Sequence, residues 1–213
     1  MYLPAQFKAK EEAHAWALMR AHPFAQVISL DDSGAPFVSH LPLRLQHSDT
    51  PDTLLGHVAR GNPHWRYLQV RPQALVVFNG PQAYMSPQVY PDLVRVPTWS
   101  YLAVHAKVDT RLLEGEEAKD ALLKQLIADH EPAYAEQWRG LDGSYQETML
   151  NGIVAFEMHI TQLQCKIKLN QHRPESHAAM HATYAQGNDN EKALAQWMVA
   201  LGLVADASHK GQP

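Results

Sequence analysis

The sequence predicts a mainly β protein, an antiparallel barrel with peripheral α-helices. Three observations support this class: several short runs rich in strand-forming residues, turn clusters at hairpin spacing between them, and few helical patterns. The chain has 213 residues, of which 46% are hydrophobic and 19% charged. A chain of this length can bury a sizeable core, and we expect a single domain over residues 1–213.

The first predicted element is a helix at residues 9–21, where Ala13, Trp16 and Ala17 fall on one face and Pro23 follows. A turn at 31–34 joins the first two strands, and a loop at 48–52 follows the second. The strands are predicted at 24–30, 35–45, 53–59, 74–79, 99–113 and 152–169. The last run is long enough for one bent strand or for a hairpin about Thr161.

Two apolar stripes at helical spacing predict packing helices at 116–131 and 190–203. The first belongs to a helical insertion of about 115–150, and the second to a C-terminal helical segment of about 174–205. A further helix should follow Pro174, because proline is suited to the first helical position. Such stripes usually pack against a core, so we assign these helices no direct part in a site.

Residues 79–105 combine four prolines with aromatic side chains and only two charged residues, Asp92 and Arg95. Disordered linkers are poor in aromatic residues, whereas long ordered loops are usually functional. We therefore expect a proline-rich loop that forms the wall of a site for a flat ligand.

The turn at 59–66 has features of a phosphate site. Asn62 is suited to cap a short helix with Pro63 in its first position, and Arg60 offers a guanidinium to a phosphate. An ordinary strand-to-helix turn explains the same residues. The interpretation as a phosphate site is supported by a second cationic segment at 166–174.

In that second segment, alternation places Lys166 and Lys168 on one face of a strand. Lys168, Gln171 and Arg173 offer the positive charge and the amide that the polar edge of a flavin requires. We expect Lys166 to be a solvated surface lysine.

Composition narrows the function classes. No run of about 18 apolar residues predicts a membrane span, and no signal peptide is visible at the N-terminus. Cys165 is the only cysteine, so we expect a cytoplasmic protein without an internal disulfide. The formal net charge of −4 argues against direct DNA binding. Thirteen histidines raise the question of a metal, but His172, His177 and His181 do not follow a zinc pattern, and we assign no metal ligand.

Five ordered motifs resemble the PaiB family, whose members are described as FMN-binding negative transcriptional regulators. The motifs are MYLP at 1–4, GHVARGNPHW at 56–65, GPQAYMSP at 80–87, VPTWSY at 96–101 and KLNQHR at 168–173. The resemblance implies the FMN-binding split β-barrel of pyridoxamine-phosphate-oxidase-like flavoproteins. It also implies a homodimer with the cofactor at the subunit interface.

The resemblance also implies which residues bind FMN. His40, Ala59, Arg60, Asn62 and Pro63 would face the phosphate and ribityl chain. Thr98, Trp99, Lys168, Gln171 and Arg173 would close the site, from the same subunit or from the second one. The sequence departs from the usual pattern at Ser100, Asn170 and His172, where Asn, Ser and Asn are more common.

Three functions follow as hypotheses. The leading one is an FMN-binding protein of the PaiB type, with or without NAD(P)H-linked reduction of flavin or a substrate, and no catalytic residue is assigned. The second is a transcriptional repressor that acts through DNA or a partner protein. The third, suggested by the histidine count, is haem binding on the same barrel.

Overall fold

The computed structural model describes residues 1–47, 52–92 and 94–205. Its strands are β1 (Phe24–Leu30), β2 (Pro36–Pro42), β3 (Arg44–Gln46), β4 (Thr53–Ala59), β5 (Gln73–Met85), β6 (Thr98–Leu113) and β7 (Ile153–Lys168). Its α-helices are α1 (Glu12–Ala21), α2 (His64–Val70), α3 (Glu116–His130), α4 (Tyr134–Gly140), α5 (Gly143–Asn151), α6 (His177–Ala185) and α7 (Asp189–Ala200). Short 3-10 turns occur at Ala5–Phe7, Pro87–Val89 and Pro174–Ser176.

The strands form one sheet in the order β2-β1-β5-β6-β7-β4-β3. β1 pairs antiparallel with β2 and with β5, and β4 pairs antiparallel with β3 and with β7. The predicted mainly β class with antiparallel pairing is therefore confirmed.

The chain divides into two compact units. Among the described residues, the first unit contains 1–18, 79–104 and 164–205, and the second contains those of 19–78 and 105–163. The dividing points fall within α1, β5, β6 and β7, so those elements contribute residues to both units.

In the second unit, turn chemistry and apolar packing explain the elements. The Asp31 carboxylate accepts hydrogen bonds from the backbone N–H groups of Ser33 and Ala35, and Gly34 has a φ of 83°. This turn joins β1 to β2 as the sequence predicts. Leu122 of α3 packs with Leu55 of β4 and with Ala155 of β7. The apolar stripe of α3 thus faces the core, as expected.

In the first unit, the N-terminal segment lies along β7. The Met1 ammonium donates to Gln164 Oε1 over 2.6 Å, and the Ala9 N–H donates to the Cys165 carbonyl over 3.0 Å. A single β-bridge joins Lys8 to Lys166. These contacts cover the part of β7 that carries Lys166.

The predicted loop at 79–105 is shorter than expected, because β5 continues through Pro81 to Met85 and β6 begins at Thr98. The register of β1 against β5 covers only Leu75 to Val77, so Pro81 lies beyond that pairing. A proline lacks the N–H that a paired strand edge needs, and it is tolerated where that edge is unpaired. The ordered loop is thus limited to residues 86–97, apart from residue 93.

Other boundaries also differ. The single run predicted at 35–45 is two strands, because the Leu43 N–H bonds the Pro23 carbonyl at 2.9 Å between them. The run at 152–169 is one strand, Ile153–Lys168, and not a hairpin. Three helices, α3 to α5, follow β6 where only one was individually predicted. Residues 48–51 of the predicted loop lie outside the described part of the chain.

Candidate functional site

In the second unit, the turn before α2 is held by the side chain of Asn62. Asn62 Oδ1 accepts from the His64 N–H over 3.0 Å, and Asn62 Nδ2 donates to Ser39 Oγ over 3.0 Å. The helix begins at His64 with Pro63 as its N-cap, one residue later than predicted. Asn62 therefore stabilises the start of the helix from just outside the expected cap position.

His64 is the most deeply buried residue of this turn and was not identified from the sequence as a site residue. Its ring nitrogens lie 2.8 Å from Ser39 Oγ and 2.9 Å from Ser29 Oγ, and its side chain is fully buried. Burial lowers its pKa to about 4, so the imidazole is neutral at physiological pH. The only sequence signal was its position four residues before buried Leu68, on the inward face of α2.

Arg60 already has partners within the protein. Its Nε donates to the Asn151 carbonyl over 2.6 Å and Nη2 lies 3.3 Å from the Ile153 carbonyl. Buried Lys119 donates to the neighbouring Leu150 carbonyl over 3.0 Å. The two cations thus bind carbonyls at the C-terminal end of α5, where positive charge is favourable. A guanidinium has five N–H bonds, so Arg60 retains donors for a ligand.

The structure brings Ser39, and not His40, to the turn. Successive side chains of a strand point to opposite faces, and Ser39 contacts Asn62 and His64. His40 is exposed on the other face, where its ring stacks with Phe24 at a centroid distance of 6.2 Å. Ala59 is the last residue of β4, and its carbonyl accepts the Asn62 N–H at 2.9 Å.

In the first unit, Lys168 lies close to two residues of the VPTWSY motif at the start of β6. Its Nζ donates to Thr98 Oγ1 over 2.5 Å and lies 5.9 Å from the centroid of the Tyr101 ring. Burial, and to a smaller extent the charge of Lys166, lowers the pKa of Lys168. Within the described residues, no carboxylate forms an ion pair with this ammonium. Its charge is therefore available to an electron-rich ligand.

The prediction that Lys166 is solvated was wrong. The residue is only 8% exposed, and its Nζ donates to the Tyr2 carbonyl over 3.1 Å. The same ammonium lies 5.5 Å from the ring centroid of Tyr2 and 5.2 Å from that of Tyr101. Alternation gave the correct strand face, but it could not reveal that the N-terminal segment covers that face.

Gln171 and Arg173 differ in how free their side chains are. Gln171 Oε1 accepts from the Leu169 N–H over 3.0 Å, and Nε2 donates to the Ile167 carbonyl over 2.5 Å. Both hydrogen-bonding groups of the Gln171 amide are thus used by the backbone at the end of β7. Arg173 is partly exposed, and its Nη1 lies 3.9 Å from Glu175 Oε1, a distance that gives only weak pairing.

Trp99 and Tyr84 form an exposed aromatic pair. Their ring centroids lie 6.4 Å apart in an edge-to-face arrangement, and the residues are 55% and 51% exposed. Two aromatic rings held together at a surface offer an apolar face to a planar ligand. This pair supports the expected aromatic wall, although it stands on the ends of β6 and β5 and not in the loop.

The three positions that depart from the family pattern all have internal partners. Ser100 is buried and lies 3.0 Å from the Tyr184 hydroxyl. Asn170 has a φ of 61°, which asparagine tolerates better than most residues, and its amide contacts Tyr90 and Ser176. His172 makes an edge contact with Phe7 at 5.4 Å.

Other candidate groups are occupied or unreactive. Burial raises the pKa of the Cys165 thiol to about 12. Both ring nitrogens of His177 lie near carbonyl oxygens, those of Leu203 and Asn170. The described residues contain no group of three or more His, Cys, Asp or Glu side chains placed to hold a metal ion. Among the helices that the structure describes, none is long and apolar enough to cross a membrane.

Comparison with known families identifies the domain. Residues 1–162 match the family model described as "Putative FMN-binding domain". The chain therefore belongs to this FMN-binding family. A relative in Bacillus subtilis, named "Protease synthase and sporulation protein PAI 2", is 31% identical over 203 residues and covers 93% of this chain and 96% of its own. The resemblance to the PaiB family is thus confirmed.

Solved structures share the fold of this FMN-binding domain. The flavocytochrome Anf3 from Azotobacter vinelandii superposes with a TM-score of 0.61 at 14% identity, and covers 77% of this chain and 70% of its own. The FAD and heme binding protein from Mycobacterium smegmatis superposes with a TM-score of 0.60 at 17% identity, and covers 76% and 74%. At these identities the likeness concerns the fold alone, and the expected split barrel is confirmed.

Proposed function

We propose that this chain is a homodimeric FMN protein that uses NAD(P)H to reduce flavin or a small substrate. The observation that carries the proposal is the ammonium of Lys168, which is partly buried, bonded to Thr98 and without a carboxylate partner among the described residues. Membership in the FMN-binding family supports the choice of cofactor.

The residues present fit the ring of FMN. Lys168 and Thr98 provide a cation and a hydroxyl for the electron-rich pyrimidine edge, and Arg173 has a partly exposed guanidinium that can turn to a ligand. Trp99 offers an exposed aromatic face. The amide of Gln171 is used by its own backbone, so we assign it the role of shaping the strand end.

In the second unit, only one of the predicted FMN-binding residues, Arg60, is suited to contact the phosphate. Arg60 keeps N–H donors beyond those bonded to the Asn151 and Ile153 carbonyls. Asn62 holds the turn through its bond to the Ser39 hydroxyl, and the Ala59 carbonyl accepts the Asn62 N–H in the same turn. Pro63 is the N-cap of the helix that follows. We assign the phosphate contact to Arg60. His40 is exposed on β2, and we assign it no contact with the cofactor.

When bound, FMN would supply the acceptance and donation of hydride, so the protein needs no acid or base of its own at the reacting centre. The chain's contribution is to bind and orient. Lys168 would place positive charge beside the ring, and the aromatic pair would shield one side of the ring from water.

Exposed apolar side chains support the homodimer. In the first unit, Val94 and Val96 precede Trp99 along the chain, and both are among the most exposed large apolar residues. Large apolar side chains exposed in this number within a short segment favour an interaction surface. A second copy that covers it would complete the enclosure of a flat ligand.

No specific observation favours the other two hypotheses. The formal net charge of −4 offers little attraction to DNA phosphates. The haem hypothesis rests on the histidine count, and His177 is unsuited as an axial ligand because both of its ring nitrogens lie near carbonyls.

The test is a fluorescence titration of FMN with the purified protein, combined with light scattering for mass. We expect quenching with a micromolar or tighter dissociation constant, the mass of a dimer, and FMN-dependent oxidation of NADH or NADPH. Unchanged FMN fluorescence at about 100 μM protein would exclude the proposed cofactor, since that limit corresponds to binding too weak for a resident group.

A further inference from the structure

Helix α6 contributes a buried hydroxyl to the region of the aromatic pair. Tyr184, near the C-terminal end of α6, is 2% exposed. Its hydroxyl lies 3.0 Å from Ser100 Oγ and 3.4 Å from the Tyr84 carbonyl. Burial raises the pKa of the phenol, so the hydroxyl remains protonated and can donate.

These two partners flank the exposed aromatic pair. The Tyr84 carbonyl belongs to one member, and Ser100 follows Trp99, the other member, directly along β6. A single hydroxyl therefore bonds the backbone of one aromatic residue and the chain neighbour of the second. The edge-to-face geometry of the two rings depends on how β5 and β6 are held at this point.

We infer that Tyr184 is a positioning residue for Trp99 and Tyr84, and that α6 is part of the machinery that orders the flavin ring. The inference rests on the proposed function, because it takes Trp99 as the surface that meets the ring. α6 lies beyond residue 162, outside the part of the chain that the family model matches.

The hydroxyl, and not the ring, carries this role. The ring of Tyr184 is buried and would pack equally well as phenylalanine. Without the hydroxyl, Ser100 Oγ and the Tyr84 carbonyl lose a shared donor in a buried setting. The ends of β5 and β6 then lose one link that fixes the two exposed rings relative to each other.

The test compares Tyr184→Phe with Thr183→Val, which removes a neighbouring hydroxyl that donates to the Ala179 carbonyl of α6. The protein is labelled with 5-fluorotryptophan, and Trp99→Phe assigns the Trp99 signal among the five tryptophans. We expect Tyr184→Phe to shift the Trp99 fluorine resonance and to leave the other four in place. We also expect it to weaken FMN binding about three- to tenfold, the loss typical of one buried hydrogen bond. Thr183→Val should change neither.

An unmoved Trp99 resonance in Tyr184→Phe overturns the inference, and so does a shifted resonance with FMN affinity unchanged. If the wild type binds no FMN but the Trp99 resonance still shifts, the proposed function fails and the positioning of the pair is supported. Ser100→Ala removes the partner hydroxyl without touching Tyr184. It provides the same comparison if Tyr184→Phe does not fold.

Discussion

Nζ of Lys168 lies 2.5 Å from Oγ1 of Thr98, which joins the end of β7 to the start of β6 in the first unit. The contact orients an ammonium that no described carboxylate neutralises. The threonine and the exposed Trp99 that follows it have different roles. The hydroxyl of Thr98 orients the Lys168 ammonium, and the indole of Trp99 offers a neighbouring apolar face.

Replacing Lys168 by methionine should weaken FMN binding about tenfold or more, because a hydrogen bond from a charged group is lost. Lys168→Arg keeps the charge and should recover most of the affinity. Lys10→Met, which removes an exposed lysine, is the matched control. Equal affinity of Lys168→Met and Lys10→Met in fluorescence titrations would remove Lys168 from the site.

Arg60 should have two separable roles. Arg60→Gln removes a cation from the C-terminal end of α5 and should cost about 1 kcal/mol of unfolding free energy in urea. If Arg60 also binds phosphate, the variant should lose about tenfold in affinity for FMN and little for riboflavin, which lacks the phosphate.

Lys119→Met separates these roles, because Lys119 bonds the same end of α5 through the Leu150 carbonyl. It should destabilise the protein and leave both flavin affinities unchanged. An equal loss of FMN and riboflavin affinity in Arg60→Gln would show that Arg60 acts only through the fold.

His64 should make folding stability depend on pH. Its pKa is lowered from 6.5 to about 4 in the folded protein, so the unfolded chain binds the proton more tightly. Its contribution is complete above about pH 6.5 and is lost as the pH falls towards 4, by up to about 3 kcal/mol. Urea denaturation of the wild type and of His64→Gln across this range measures it. Parallel stability curves for the two proteins would contradict the assignment, since the difference between them isolates His64 from the other histidines.

Gly80 should tolerate no side chain. A Cβ there would lie 2.6 Å from Leu18 Cδ1 and 3.1 Å from Leu102 Cβ. Gly80→Ala should therefore destabilise the protein by about 1–3 kcal/mol. At Gly140 a Cβ would meet nothing within 4 Å, so Gly140→Ala is the control. Similar melting temperatures for the two variants would mean that β5 can move away from Leu18.

The sequence predicted those features that depend on local chemistry. The predicted limits of β1 and β4 agree with the observed ones, because turn-forming residues stand next to the ends of these strands in the sequence. The extent of β5 was underestimated because the cost of Pro81 depends on which strand edge is paired, and pairing is a tertiary property. His64 was missed for a similar reason: its serine partners stand on β1 and β2, more than 20 residues earlier in the chain.

In the candidate site, too, the sequence predicted some residues correctly, whereas others depend on tertiary contacts. Lys168 and Thr98 were both expected to bind the cofactor, and their contact supports that grouping. Alternation along β7 could not distinguish Lys168 from buried Lys166, because Tyr2 lies 164 residues away along the chain. The role of Ser39 in place of His40 depends on which face of β2 meets the turn, which only the register decides.

The lone thiol of Cys165 has a practical consequence. It is buried in β7 beneath the backbone contact of the N-terminal segment, and its pKa is raised to about 12. Alkylating reagents should therefore modify this protein only when β7 opens. The rate of this alkylation therefore measures how often the strand that carries Lys168 opens locally. Ligands that stabilise the closed site should slow the alkylation.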